Sequence, residues 1–396
     1  MMKHLLLIAT VFSNLTYAAE LTRYTAQKLH QAQQLHADGD LTQAINLLME
    51  VESNRSYDQS MVARSLGVYY WQEGQAEQAI RSLRLAISSK GLQPKLLRET
   101  QLMLADLYFN QSTYQLANDL YYSLIKTASE GEELNRLWLK VAKTHYQLMD
   151  WKHALIAASN TQPKTTSERV EVLTIRVSAQ LKLHQWPRAE KSLQALLVLE
   201  PENSLWWKQL VSVQLKQGKT RSALTTLSVA KHQYSLSDEE SRLYSQLLAK
   251  HGVPAQAAVE IEQLDHSELS VEQLVLLATL WERAREWDKS VALWLQVAEQ
   301  DSQYYMTVVR IYMQQRQFSK ALQTINKVPV QDSEVLLLRA QIAHKLEKND
   351  AALSYALRAD KLKSTTNTQS WVEYLTNLKK QARADSSPMS NKKEGS

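Results

Sequence analysis

Cysteine is absent from all 396 residues, which rules out disulfide bridges and thiolate metal sites. A cysteine-free chain suits an oxidising compartment. Glycine and proline are nearly as scarce, at 8 and 7 residues. That scarcity excludes glycine-rich phosphate cradles and, with few β-branched runs, points to helix almost throughout. Enzyme signatures are missing too: there is no His-Glu-x-x-His, no Gly-x-Ser-x-Gly and no calcium loop. The chain therefore reads as a binding protein and not an enzyme, with no cofactor. A surplus of one charge sign is also lacking. The formal charge is +5, but Lys3 and the last eighteen residues carry most of it, leaving residues 19–378 at +1. Near balance argues against a nucleic-acid surface, which clusters lysine and arginine on one face.

What the chain does have is a repeated pattern, clearest at 61–90. Met61 to Trp71, the turn 72–75 and Ala76 to Lys90 read as two amphipathic helices. Leu66 and Tyr70 are four residues apart, as are Ala79 and Leu83, so each pair shares one helical face. Gly67 has no Cβ and Ala79 only a methyl, which lets the two helices approach closely. Gly74 stands where the first helix must stop. This order of residues resembles the tetratricopeptide repeat, through Leu66-Gly67-x-x-Tyr70 followed by Ala79, Leu83 and Ala86.

The alanine of the second helix recurs at Ala44, Ala79, Ala117, Ala154, Ala189, Ala223 and Ala257, then Ser290, Ala321 and Ala352. The steps are 35, 38, 37, 35, 34, 34, 33, 31 and 31 residues, close to the family's period of about 34. Four residues after each anchor come Leu48, Leu83, Tyr121, Ala158, Leu193, Leu227, Ile261, Trp294, Ile325 and Ala356, mostly large and apolar. Gly39, Gly74, Gly218 and Gly252 each lie five before an anchor. The resemblance implies an all-α, tetratricopeptide-like solenoid. It would be a right-handed superhelix of about ten helix-turn-helix repeats. A capping helix bearing Trp371, Leu375 and Leu378 is expected at its C-terminal end.

Residues 1–18 have the pattern of a cleavable secretory signal. Lys3 and His4 open it, Leu5 to Phe12 are apolar, and Ala18 offers a small residue for cleavage. The apolar run is too short to span a bilayer. Residues 19–165 are expected to hold the N-terminal repeats and 166–382 the C-terminal ones, divided at the linker-like stretch 161–167. A disordered tail is expected at 383–396. The product would then be periplasmic, with no integral membrane segment after cleavage.

In tetratricopeptide families, positions two, five, nine and twelve of each first helix face a concave groove. Position twelve here reads His36, Trp71, Phe109, Tyr146, Leu181 and Leu215 in the first six units. Trp71, Phe109 and Tyr146 would form an aromatic line, flanked by Arg64, Arg136 and Lys143. Such a surface suits an extended or proline-rich segment, because a stiff peptide loses little entropy on docking. The alternative is that these rings pack between adjacent first helices. Position two supplies Glu171, Glu239, Glu272 and Glu334, an acidic strip or simply a solvated face. His145 and His153 share one hairpin. His145 is read as a replacement for the packing tyrosine of its unit, and no metal site is assigned.

The runs 63–72, 206–210 and 286–289 add a narrower resemblance, to exported tetratricopeptide proteins found beside accessory TonB–ExbB–ExbD systems in marine gamma-proteobacteria. It implies a periplasmic scaffold for protein–protein interaction, accessory to TonB-dependent energy transduction and iron or nutrient uptake. Its partners would be TonB, ExbB or ExbD-type components, or a proline-rich segment. The alternative role is an envelope-assembly adaptor that tethers a peptidoglycan enzyme.

Overall fold

The computed structural model describes residues 21–129, 131–264, 270–329 and 332–386. The expected signal, 1–18, lies outside the described residues. Every regular element among those described is helical.

The chain divides into two compact units, one ending at Gly218 and the next starting at Lys219. The first unit runs α1 Arg23–Ala37, α2 Leu41–Met49, α3 Ser56–Gln72, α4 Ala76–Ser88, α5 Pro94–Asn110, α6 Tyr114–Ile125, α7 Glu132–Gln147, α8 Trp151–Asn160, α9 Thr166–Lys182, α10 Trp186–Leu199 and α11 Ser204–Lys216. Within it, each helix from α1 to α10 packs on the next. The second unit holds α12 Thr220–Gln233, α13 Asp238–Lys250, α14 Pro254–Glu262, α15 Val271–Arg283, α16 Trp287–Gln300, α17 Tyr305–Gln314, α18 Phe318–Ile325, α19 Ser333–Lys345, α20 Asn349–Leu362 and α21 Thr366–Ser386. Here too each helix packs on its successor. The expected class, all-α with tetratricopeptide-like helical pairs, is the one observed.

The anchor ladder defines the buried seam. All ten anchors are 0 % exposed, including Ser290. The residues four further on are buried as well, from Leu48 to Ala356. At Ser290 the hydroxyl donates to the Ala278 carbonyl of α15 at 2.9 Å, so the polar substitution is satisfied inside the hairpin.

The turns follow one geometry. The residue five before every anchor has positive φ: four are the glycines 39, 74, 218 and 252, and six are Ser112, Met149, His184, Arg285, Arg316 and Glu347. The next N–H reaches back to the carbonyl at the tyrosine slot, as in Gln75 to Tyr70 at 2.8 Å, Asp150 to His145 at 2.9 Å and Gln317 to Tyr312 at 2.8 Å. This is the six-to-one bond of a Schellman stop, and it turns the chain directly into the second helix.

The helix starts are written in the sequence. Thr165 with Glu168, Ser237 with Glu240 and Ser270 with Gln273 form capping boxes. Stretch 161–167, expected to divide the repeats, lies within the first unit. The Thr161 hydroxyl donates to the Ala157 carbonyl at 3.1 Å, and the Thr165 box closes the following helix start. Helix α21 buries Leu375 against Ala340, Ala343, Ala352 and Ala356, with Trp371 beside it, as the capping-helix reading requires. Its backbone is helical as far as Ser386, where the described residues end. Alanines 382 and 384 favour helix. Residues 387–396 lie outside the described residues.

Candidate functional site

The six residues predicted to line a groove sit on α3, α5 and α7. Trp71, in the last turn of α3, is 41 % exposed. Phe109 and Tyr146 are half-buried, and each packs onto the first residue of the helix that follows. Phe109 meets Tyr114 edge-on at 5.4 Å, and Tyr146 meets Trp151 at 5.6 Å and 82°. Their contacts thus close a turn within one repeat as well as joining the core beside Val141 and Ala142.

The three cations have acidic neighbours. Arg64 is 7 % exposed and pairs with Glu99 at 3.2 Å. Burial pulls the Arg64 pKa down, opposed by the Glu99 charge. Lys143 pairs with Glu171 at 2.5 Å, and Arg136 with Glu132 at 3.8 Å along one helix face. Glu171, first member of the acidic strip, is therefore spent on Lys143. Glu239, Glu272 and Glu334 occupy exposed first turns of α13, α15 and α19, where negative charge favours the helix dipole. Of the predicted residues, Trp71 offers the most open apolar surface, and Arg136 is the most exposed cation.

A cleft of about 450 Å³ opens beside α9 and the end of α10, lined by Thr161, Pro163, Arg169, Val172, Arg176 and Val198 among others. None of the six predicted residues lines it.

The sequence pattern assigned His145 to packing, and the structure adds polar contacts to that role. Its ring stacks on His153 at 5.2 Å, while Asp150 stands between the two imidazoles. Burial lowers the His145 pKa, against the pull of Asp150 and with repulsion from His153.

Residues 65–91 match the family model described as Tetratricopeptide repeat. This stretch is a tetratricopeptide repeat, and the helical pairs on either side of it share its architecture. No curated protein matches the chain. Among solved structures, the P58(IPK) TPR domain is 14 % identical over 91 % of this chain and 99 % of its own, with a TM-score of 0.27. The C-terminal part of a TPR repeat-containing protein from Cytophaga hutchinsonii is 14 % identical over 69 % of this chain and 95 % of its own, at 0.40. Pseudomonas aeruginosa pilF is 16 % identical over 53 % of this chain and 91 % of its own, at 0.34. Among the described residues, no helix is long and apolar enough to cross a membrane.

Proposed function

We propose that the chain is a periplasmic scaffold that holds a protein partner against its first helices, and that the partner belongs to a TonB-dependent energy-transducing complex. The observation that carries the binding surface is Trp71, a large ring left 41 % exposed on a well-packed helix. A tryptophan ring has only two side-chain torsions to fix, so it presents a large apolar area at little entropic cost, and interface hot spots are enriched in tryptophan. The exported location is supported by the leader pattern in residues 1–18. The TonB-type partner is supported by the resemblance carried in 63–72, 206–210 and 286–289, and a proline-rich segment fits an aromatic surface of this kind.

The test is capture of partners from a periplasmic extract by the tagged chain, beside Trp71→Ala. Recovery of TonB, ExbB or ExbD-type proteins, lost in Trp71→Ala at unchanged melting temperature, is the expected result. Equal recovery by both removes the Trp71 surface. Recovery of murein enzymes in their place moves the role to peptidoglycan-enzyme tethering.

A further inference from the structure

The turn between α7 and α8 brings three potential ligands together. His145 lies in the last turn of α7, Asp150 is the N-cap of α8, and His153 follows one turn into α8. The backbone bond from the Asp150 N–H to the His145 carbonyl, 2.9 Å, sets that juxtaposition. One donor atom from each of the three lies within 4.8 Å of the others.

Asp150 divides its two oxygens between two tasks. Oδ1 accepts from the His153 N–H at 3.2 Å and caps the helix. Oδ2 faces both imidazoles, at 2.7 Å from His153 Nδ1 and 3.3 Å from His145 Nδ1. His145 is 6 % exposed, and its Nδ1 has no hydrogen-bond partner despite that approach. A buried ring nitrogen without a partner is rare and needs a cause.

The other side of the His145 ring is supported in the manner of a metal ligand. Its Nε2 lies 3.0 Å from the Tyr122 hydroxyl and 3.4 Å from the Asn118 side-chain nitrogen, both on α6. Asn118 Oδ1 is likewise buried without a partner. Turning that amide over puts Oδ1 toward Nε2, and amide orientation is assigned from such networks. Nε2 then carries the proton, and the Nδ1 lone pair points at Asp150. Ligating histidines commonly donate their second N–H in this way, which fixes tautomer and ring orientation.

The geometry points to a site for one divalent transition-metal ion of the zinc class, bound by His145 Nδ1, one Asp150 oxygen and His153. Ligands at roughly 2.0–2.1 Å in a tetrahedral shell sit about 3.3 Å apart, which is the observed His145–Asp150 spacing. The shorter His153 contact opens by swinging a side chain that is 54 % exposed. Solvent on that side supplies the fourth ligand. Two imidazoles and a carboxylate select zinc, nickel, copper or cobalt over magnesium or calcium, which prefer all-oxygen shells.

The test is calorimetric titration of the full, untagged chain with zinc chloride, repeated with Asp150→Asn and His153→Ala. Asparagine caps helices as well as aspartate, and His153 is largely exposed, so both variants keep the fold. Circular dichroism and melting temperature check this. One equivalent bound, with affinity falling at least about tenfold in each variant, is expected. Cobalt loading should add visible d–d absorption, weakened by the same changes. Binding well below one equivalent, or a loss of less than tenfold in either variant, overturns the site.

Discussion

A Cβ built on Gly67 would lie 2.5 Å from Leu83 Cδ2 and 2.7 Å from its Cγ. The glycine of α3 and the leucine of α4 therefore fix how closely the second hairpin closes. Leu83 is 1 % exposed, so its side chain has nowhere to retreat without displacing its neighbours. Gly67→Ala should lower stability by about 1–3 kcal/mol, the usual cost of overpacking, despite alanine's better helix propensity. Chemical denaturation would measure it. A neutral or stabilising result would mean that the hairpin opens freely, and that the glycine is dispensable.

The six non-glycine residues with positive φ that lie five before an anchor offer a second test. Arg285 at 61° and Glu347 at 59° occupy the same turn position that Gly252 holds at 83°. A left-handed conformation costs an L-residue about 1–2 kcal/mol, while glycine's larger unfolded-state entropy recovers part of that. Arg285→Gly and Glu347→Gly should each stabilise by about 0.5–1 kcal/mol, seen as a raised denaturation midpoint. A drop in either variant would show that its side chain stabilises the turn by more than the strain costs.

These turns also mark what could be read from the chain alone. The anchor ladder was legible because small residues at a fixed period can only mean close helix packing, and all ten proved fully buried. The turn position was legible only at the four glycines, since serine, methionine, histidine, arginine and glutamate there carry no conformational signature. The groove residues were placed on the expected helices, but their neighbours were not foreseen. Glu99 beside Arg64 and Glu171 beside Lys143 come from the following repeat, 35 and 28 positions on, where no local spacing rule reaches. The His145–Asp150–His153 cluster was half visible. Its histidines share a hairpin, but the placement of Asp150 between them follows from the Schellman turn, which sequence spacing does not reveal.

Asp58 predicts a pH dependence. It is 0 % exposed and collects the Thr22 N–H at 3.2 Å and the Thr22, Thr25 and Ser53 hydroxyls at 2.7, 2.9 and 3.2 Å. Burial alone would raise its pKa, but the Thr22, Thr25 and Ser53 donors outweigh it and hold the carboxyl below its ordinary value. A depressed folded-state pKa contributes stability that is fully present above the unfolded value of about 3.9 and is lost as pH falls through the folded value. Thr25→Val should weaken this clasp between the α1 N-cap and α3, and flatten the acid limb of stability against pH. Asp58→Asn should cost about 1–3 kcal/mol near neutral pH, because its amide would turn a donor toward donors. An acid limb of the same slope in wild type and Thr25→Val would remove Asp58 as its source.

Ser290 separates size from hydrogen bonding within the anchor ladder. Its hydroxyl is fully buried and donates to the Ala278 carbonyl, but that carbonyl belongs to α15 and keeps its helical role without the serine. Ser290→Ala removes donor and acceptor together and restores the residue found at the other nine anchors, so no buried polar group is stranded. It should change stability by less than about 1 kcal/mol. Ser290→Val replaces the hydroxyl with a methyl and adds a second one where α15 and α16 touch, and should cost about 1–3 kcal/mol through crowding. Denaturation midpoints of the two variants give the order. If alanine proves the more damaging change, the hydroxyl bond outweighs close approach at this repeat, and the small-residue rule drawn from the other nine anchors does not govern the eighth.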